Sequence, residues 1–465
     1  MADLGNNDAQ GPPTRPSYFI RTFGCQMNVA DSLQYARVLE NLGCVRAESD
    51  ESSDILVVNT CSVRAKAEEK AISYLGSVIR ERALNRRESR SSARGGIVLV
   101  GCMATVRGNE ILRRFREVAA MVPARELESF EDRITSLWPE LVASAFDDRT
   151  SPLPRPEERF ERFVPIIRGC INKCTYCIVP YARGDRLESV PPSRIFAEVE
   201  GLIASGVKSI TFLGQNVCAY GSEIESGGYG FAELLGDIRD RFGDADVWFK
   251  FLTSHPRDVS DDLIAVIASH PAFSRHFHLP VQAGDDEVLR RMGRGYTSAQ
   301  YVGLIDRIRA TIPDSRITTD IIVGFPGEDQ SAFERTLETI ERIRFDAAFT
   351  FLYSSRSGTP AEKWADPIPV DEKKRRLGRL IELQNRIALE KSRAKAGSET
   401  TVLVEGPAMR AASKASGMVA GRTREEEVVL LGGGADDYGR RIRVRFVEAN
   451  LRSFTAERID EKSTA

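Results

Sequence analysis

The sequence predicts an α/β protein built from an N-terminal parallel α/β domain, a partial (β/α)6 barrel and a small C-terminal β-barrel. Three observations predict it. Strand-like runs alternate with helical periodicity through the first 390 or so residues of the 465-residue chain. In the first part, each strand-like run ends at a cysteine. Near the C-terminus the pattern changes to short strands separated by Gly-rich turns, the signature of a small closed barrel.

Taken in order, residues 1–16 are rich in Gly, Asn and Pro and carry no apolar segment, so they read as a disordered tail and not a signal peptide. Residues 17–145 form the first domain. Strands are expected at Tyr18–Thr22, Ile55–Asn59 and Ile97–Gly101, with helical patterns at Asp31–Leu42, Ala65–Arg82 and Asn109–Glu117. Cys25, Cys61 and Cys102 follow the three strands. In an open α/β sheet the carboxyl ends of the strands form the ligand-binding edge, so three cysteines distant in sequence are expected to meet there. The plainer reading is three independent buried cysteines.

A Pro- and charge-rich connector, Asp147–Arg159, leads into a middle domain over residues 155–390. Strands are expected at Val164–Arg168, Ser209–Leu213, Val247–Leu252, His276–Leu279, Ile317–Val323 and Ala348–Leu352. The clearest helices are Arg194–Ala204, Ser298–Ala310 and Ser331–Ile343. Polar residues stand where these strands end, at Gln215-Asn216, Ser254-His255, Gln282, Glu328 and Ser354-Ser355, and in a parallel barrel such ends surround the active site. Gly324-Phe325-Pro326-Gly327-Glu328 follows the fifth strand, and its glycines allow close backbone approach, to a ligand or in an ordinary tight turn. His255 and His278 read as hydrogen-bonded structural residues.

The first barrel strand runs into Cys170, Cys174 and Cys177, spaced C-x3-C-x2-C. Three close thiolates suit a soft-metal site, yet no fourth cysteine is near, whereas a structural zinc site wants four ligands. An iron–sulfur cube held by three cysteines keeps one iron open. A buried cysteine loop or a zinc knuckle is the alternative. Cys44 and Cys218 read as core or incidental.

A long basic helix, Asp371–Lys395, precedes the last domain, residues 393–458, where strands are expected at Thr401–Glu405, Gly417–Gly421, Val428–Leu431, Arg441–Phe446 and Ser453–Ala456. Arg441, Arg443 and Arg445 alternate with apolar residues and so share one strand face, placed either to meet phosphates or to keep an edge soluble. The run Lys373–Arg376 reads most simply as a solvated helix face.

Composition narrows the function classes. The net charge is −2, so nucleic-acid contact has to come from local patches. No apolar run approaches membrane-spanning length. Eight cysteines in 465 residues are too sparse for a disulfide scaffold, which points to a reducing, cytoplasmic compartment.

The C-x3-C-x2-C loop resembles that of the radical S-adenosylmethionine (SAM) superfamily. Over residues 17–457 the chain resembles its methylthiotransferase family, with an N-terminal methylthiotransferase domain, a radical SAM core and a C-terminal TRAM domain. The matching motifs are Thr22-Phe23-Gly24-Cys25-Gln26-Met27-Asn28, Asn59-Thr60-Cys61-Ser62-Val63-Arg64, Gly101-Cys102, the cysteine loop running on to Pro180-Tyr181-Ala182-Arg183-Gly184, Leu213-Gly214-Gln215-Asn216, Thr253-Ser254-His255-Pro256, His278-Leu279-Pro280-Val281-Gln282 and Asp320–Glu328. The Gly-Cys-Gln-Met-Asn form, and Asn-Thr-Cys-Ser-Val-Arg with Ala67-Glu68-Glu69-Lys70, are similar to the branch that modifies N6-isopentenyladenosine (i6A) in tRNA. The departures are a short insert at Ser226–Tyr229 and the small residues Gly432–Ala435.

The resemblance implies two [4Fe-4S] clusters and SAM. Cys170, Cys174 and Cys177 would hold the SAM cluster, and Cys25, Cys61 and Cys102 an auxiliary cluster that supplies sulfur. Tyr176, Gln215, Asn216, Ser254, Gln282, Gly324 and Glu328 are the implied cofactor contacts, and Arg441, Arg443 and Arg445 the implied RNA contacts. The expected partners are tRNA carrying i6A at position 37 and an electron donor of flavodoxin or ferredoxin type, with the chain a monomer. Sibling branches act on threonylcarbamoyl-adenosine or on a ribosomal-protein aspartate. An iron–sulfur electron-transfer protein, the reading of another class, would need neither a barrel mouth nor a nucleic-acid module.

Overall fold

The computed structural model describes residues 15–62, 65–88, 96–139, 160–224, 228–408 and 417–459. The expected N-terminal tail (save Arg15 and Pro16), the connector Asp147–Arg159, Val63-Arg64 of the second motif and part of the Ser226–Tyr229 insert lie outside the described residues. The chain forms two compact units, residues 1–153 with Tyr181–Arg183, and residues 154–180 with 184–465.

The first unit is a five-stranded parallel sheet in the order β2-β1-β3-β4-β5, comprising β1 (Ser17–Phe23), β2 (Val45–Arg46), β3 (Ile55–Thr60), β4 (Ile97–Gly101) and β5 (Val118–Pro123). Its principal helices are α1 (Gln26–Asn41), α2 (Ala65–Glu88), α3 (Cys102–Arg114) and α4 (Phe130–Leu137). β3 and β4 are buried along their whole length, which suits central strands covered on both faces. The three expected strands are present. Two more, β2 and β5, lie at the edges. β2 is only two residues long, and β5 is Ala-rich and closes on a proline, so neither carries a strong strand pattern. α1 starts directly after Cys25 and α3 at Cys102 itself, earlier than the periodicity predicts: the first turns of α1 bury the polar residues Asn28, Asp31 and Ser32, and the first turn of α3 buries Cys102, Met103 and Ala104.

The second unit contains six parallel strands, β6 (Glu161–Pro165), β9 (Ser209–Leu213), β10 (Trp248–Phe251), β11 (His276–His278), β12 (Arg316–Val323) and β13 (Ala347–Leu352). They pair as β6-β9-β10 and β11-β12-β13, and a parallel bridge between Phe249 and Phe273 joins the two sets. The result is the expected partial barrel. A short antiparallel pair, β7 (Ile167–Arg168) with β8 (Glu188–Ser189), brackets the cysteine loop. Ile210, Phe212, Phe249, Phe251, Phe277, Ile317, Ile321 and Val323 all enter the main hydrophobic core. Side chains alternate along a strand, so the intervening residues line the inner face.

The last five strands, β14 (Glu399–Pro407), β15 (Met418–Thr423), β16 (Val428–Gly432), β17 (Arg441–Ala449) and β18 (Phe454–Arg458), close a barrel in the order β14-β15-β16-β18-β17. All five lie where the sequence predicts them. Gly421 is required here, since a Cβ would overlap the Leu403 carbonyl across the tight β14–β15 pairing. In the same unit, Lys250 of β10 is 4% exposed and pairs with Glu161 and Glu426, and Arg441 stacks on Trp248 with 4.4 Å to the ring centre. A lysine this buried is stable only when paired.

Phe446 and Phe454 stack at 4.1 Å in the centre of the small barrel. Phe446→Ala is expected to cost the barrel about 3–5 kcal/mol, read as an earlier thermal transition by circular dichroism.

Candidate iron–sulfur and SAM site

In the first unit, Cys25 follows β1, Cys61 follows β3 and Cys102 begins α3 directly after β4. These are three adjacent strands of the sheet, and β1/β3 is the point where the strand order reverses, the usual ligand crevice of such a sheet. The thiols come within hydrogen-bonding reach, with Cys61 between Cys25 and Cys102. The expectation that the first-domain cysteines gather on one edge is therefore met in the geometry.

The surrounding motif residues build that edge. The Asn28 amide donates to Asn59 Oδ1 at 2.8 Å, and the Asn59 amide donates back to the Asn28 carbonyl at 2.8 Å and to Ser32 Oγ at 2.9 Å. Asn28 Oδ1 accepts from the Cys25 backbone N–H at 3.3 Å and lies 3.4 Å from its Sγ. Both asparagines are fully buried, so these bonds lock α1 to β3 and orient the first thiol. A Cβ at Gly24 would strike the Asn28 side chain, and one at Gly101 (φ +91°) would strike Asn59 and the Thr60 carbonyl.

Arg183 belongs to this unit and was missed as a site residue in the sequence reading, although it lies in a quoted motif. Its guanidinium is buried, pairs with Asp31 at 2.8 Å, and leaves Nη1 without a hydrogen-bond partner. The Cys25 and Cys102 thiols are lowered from the ordinary thiol range, first by hydrogen bonding with Cys61 and then by the Arg183 charge, while hydrogen bonding with Cys102 and Cys25, together with burial, pushes Cys61 upward.

In the second unit the cysteine loop hangs from β7. Gly169 (φ +79°) must be glycine, because a Cβ would overlap the Arg186 carbonyl oxygen. Cys170 N–H donates to the Gly184 carbonyl at 3.1 Å, and Cys177 N–H to the Cys174 carbonyl at 3.0 Å. Arg291–Arg294 cradles the other side. Thr175 N–H donates to the Met292 carbonyl at 3.0 Å, and Thr175 Oγ1 to the Arg291 carbonyl at 2.9 Å. Gly293 (φ +72°) leaves room for the Lys173 carbonyl. Burial pushes the Cys170 thiol up and Cys177 up to about 12.

Arg294 is a second residue the sequence reading missed. It is 4% exposed, and its Nη1 donates to Cys174 Sγ at 3.3 Å. Its other donors meet Tyr296 Oη at 3.0 Å and the Pro280 carbonyl at 2.8 Å. None of these partners is a carboxylate. A guanidinium held on neutral partners and a cysteine sulfur would suit a site that takes up an anionic group. No signal short of the fold itself joins Arg294 to Cys174, 120 positions apart.

The expected cofactor contacts fall into two groups. Gln215 follows β9 with both amide atoms buried and unpartnered, and Gln282 (φ +69°) follows β11 with Oε1 buried and unpartnered. Orphaned amides at the strand ends fit a polar ligand. Tyr176 packs edge-on to Phe325 at 6.2 Å, and the Ser254 hydroxyl is buried and unpartnered like the two amides. The remaining residues are held within the protein. Asn216 bonds Asp258 at 2.5 Å and the His255 N–H at 3.0 Å. Glu328 accepts from the Gly324 N–H at 3.1 Å and from Arg376 at 3.0 Å. The space over Gly324 is filled by the Lys373 stem and that over Gly327 by Arg291, so both glycines admit a side chain of this chain. His255 is buried and accepts from the Arg257 N–H at 3.3 Å; burial, with Arg294 and Arg257 nearby, lowers it to about 2 and keeps it neutral. His278 bonds Thr318 at 3.0 Å. Cys44 lies in the core of the first unit.

Among the described residues, no three His, Cys, Asp or Glu side chains converge tightly enough to chelate a single ion. Each thiolate of an iron–sulfur cube binds a different iron, which requires a wider set.

On the third expected site, Arg443 and Arg445 are 61% and 55% exposed and share Glu399 at 3.0 and 2.7 Å. Arg441 has 19% of its side chain exposed and is taken up by Asp246, the Lys208 carbonyl and Trp248.

Residues 164–340 match the radical SAM superfamily model and residues 17–123 that of the uncharacterized protein family UPF0004. The chain is 41% identical to a tRNA-2-methylthio-N(6)-dimethylallyladenosine synthase of Dictyoglomus thermophilum, over 96% of this chain and 99% of the relative. It is 39% identical to the protein of the same name from Carboxydothermus hydrogenoformans, over 94% and 97%. Among solved structures it resembles the radical S-adenosylmethionine methyltransferase TsrM of Kitasatospora setae (TM-score 0.56, 14% identity, 75% of this chain and 77% of that one). It also resembles the cobalamin-dependent radical enzyme OxsB (TM-score 0.51, 14% identity, 80% and 56%), and at these identities the likeness is one of fold.

If the two cysteine sets are separate, anaerobically reconstituted protein should bind about eight irons, and replacing Cys170, Cys174 and Cys177 with alanine should remove about half of them. Loss of all iron from that variant would contradict independent sites. On sequence, domain content and fold, the chain belongs to the radical SAM methylthiotransferases, in the tRNA-2-methylthio-N(6)-dimethylallyladenosine synthase family.

Proposed function

We infer that this chain places a methylthio group on C2 of N6-isopentenyladenosine at position 37 of the tRNA anticodon loop. The observation that carries the reading is the pair of three-cysteine sets, one at the carboxyl ends of three strands of a parallel sheet and one in the loop between β7 and β8 that follows the first barrel strand. The names of the full-length relatives support the choice of substrate.

Adenine C2–H is not acidic enough for a side-chain base at neutral pH, so proton abstraction cannot open that position. When bound, SAM and the two clusters supply hydrogen-atom abstraction, methyl transfer and sulfur. This chain's residues hold and shield those groups. Cys170, Cys174 and Cys177 bind the SAM cluster, with Arg294 beside Cys174 as counter-charge. Gln215 and Gln282 offer amides to SAM, and Tyr176 with Phe325 limits water around the loop. Cys25, Cys61 and Cys102 bind the auxiliary cluster, with Arg183 against two of them.

The tRNA grip is assigned to Arg443 and Arg445. The target base leaves its stack to reach the barrel mouth, which costs little for an anticodon-loop purine. A flavodoxin- or ferredoxin-type donor, a monomeric state and a cytoplasmic setting complete the reading; among the described residues no helix is long and apolar enough to cross a membrane.

A Cys25→Ala, Cys61→Ala, Cys102→Ala variant should still cleave SAM to 5′-deoxyadenosine but form no methylthio product, measured by chromatography and nucleoside mass analysis. Normal product from it would overturn the sulfur-donor assignment. Arg443→Gln with Arg445→Gln should weaken tRNA binding and flatten its dependence on log salt by about two phosphate contacts. An unchanged slope in filter-binding titrations would place the grip elsewhere.

A further inference from the structure

Two large aromatic side chains on the barrel strands face solvent. Phe349 and Phe351 of β13 are 55% and 37% exposed, and among the described residues they are the only exposed large hydrophobics on the core strands β6 to β13. Their position is specific. β13 pairs with β12 so that Phe349 lies beside Asp320 and Phe351 beside Ile322. β12 pairs with β11 so that Thr318 lies beside His278. Paired residues in neighbouring strands share a face, and Phe277, Ile317, Ile321 and Val323 on the opposite face are core. Phe349 and Phe351 therefore look onto the inner face of the partial barrel. The His278 ring stands edge-on to Phe349 at 6.0 Å.

The wall adjoins the cofactor side. Gln282 N–H donates to the Asp320 carbonyl at 2.9 Å, and Ile322 N–H donates to the Gln282 carbonyl at 2.9 Å, so the residue with the orphaned amide is stitched to β12 beside the two phenylalanines. Ile322 and Tyr176 of the cysteine loop pack on the same apolar cluster around Phe325. Exposed aromatics beside polar strand ends leave apolar surface in water until a ligand covers it.

We propose that Phe349 and Phe351, with Ile322, form the subsite for the five-carbon N6 substituent of the target adenosine, and so set which N6-modified adenosine the enzyme accepts. The proposal rests on the i6A reading above and names the residues that read the modification. A dimethylallyl group is branched and purely hydrocarbon, so an aromatic wall gains from covering it. A threonylcarbamoyl group in the same place would bring a carboxylate against two phenyl rings and lose hydration. The wall thus favours one substituent and penalises the other.

The test uses the reconstituted full-length holoenzyme and anticodon stem-loop RNAs that differ only at position 37, carrying i6A, unmodified adenosine or threonylcarbamoyl-adenosine. Competition binding gives the affinity ratio of i6A to unmodified RNA, and turnover is measured on the same RNAs. Phe349→Ala and Phe351→Ala should each reduce that ratio by about 10-fold or more, the scale set by lost pocket methylenes, with affinity for unmodified RNA unchanged. Phe349→Leu, which keeps an apolar side chain, should retain most of the ratio; it is the second variant should truncation disturb folding. Melting temperature and iron content establish that each variant is folded. A folded Phe349→Ala enzyme, or a Phe349→Asn one in its place, that keeps the wild-type ratio overturns the subsite while leaving the i6A reading intact. A wild-type enzyme that fails to methylthiolate the i6A RNA overturns the i6A reading and the subsite with it.

Discussion

Three of the six cysteines proposed as cluster ligands leave their strands immediately after a glycine, and at each of these glycines a single added carbon would collide with the protein. Gly24 and Gly101 give room to the interlocked Asn28 and Asn59, and Gly169 to the Arg186 carbonyl. Iron–sulfur ligation needs several sulfurs brought together from separate backbone segments. Backbones can approach so closely only where no side chain intervenes. The rest of each site follows from that constraint. Buried amides fix α1 to β3, the positive-φ turn at Gly169 opens the cysteine loop, and Gly293 lets the cradle segment close over it.

Charge is the second organising feature. Each cysteine set has one buried guanidinium against it, Arg183 in the first unit and Arg294 in the second. The two are held differently. Arg183 has Asp31 as an ion-pair partner, which fixes its place before any ligand arrives. Arg294 rests on the Pro280 carbonyl, the Tyr296 and Tyr176 hydroxyls and Cys174 Sγ. Both suit sites whose ligand sets are anionic, since burying thiolates without nearby positive charge is costly.

Much of the architecture is legible in the sequence because its signals are local. Strand runs in the first 390 residues, the five C-terminal strands and the placing of Cys25, Cys61 and Cys102 at strand ends all come from patterns within a few residues of one another. The short edge strand Val45–Arg46 and the Ala-rich Val118–Pro123 carry too little pattern to read. At the site, the sequence shows where the cysteines stand relative to the strands, but not which polar residues pair with one another. Asn216 and Glu328 stand at strand ends just as Gln215 and Gln282 do, yet they bond to Asp258 and Arg376, which only the fold brings near. Similarly, Arg441 shares a strand face with Arg443 and Arg445 but meets Trp248, almost 200 positions away. Half of the basic run Lys373–Arg376 turns inward for the same reason: Lys373 and Arg376 are each 5% exposed and pair with Asp366 and Glu328.

The account stands or falls on the modified nucleoside. Its most direct measurement is mass analysis of total tRNA nucleosides from a strain lacking its own i6A methylthiotransferase, with and without this chain expressed. The account predicts that 2-methylthio-N6-isopentenyladenosine appears only with the chain, at the expense of N6-isopentenyladenosine, while threonylcarbamoyl-adenosine is untouched. Methylthiolation of threonylcarbamoyl-adenosine instead, or no methylthiolated nucleoside from a chain that carries its full iron, would contradict it.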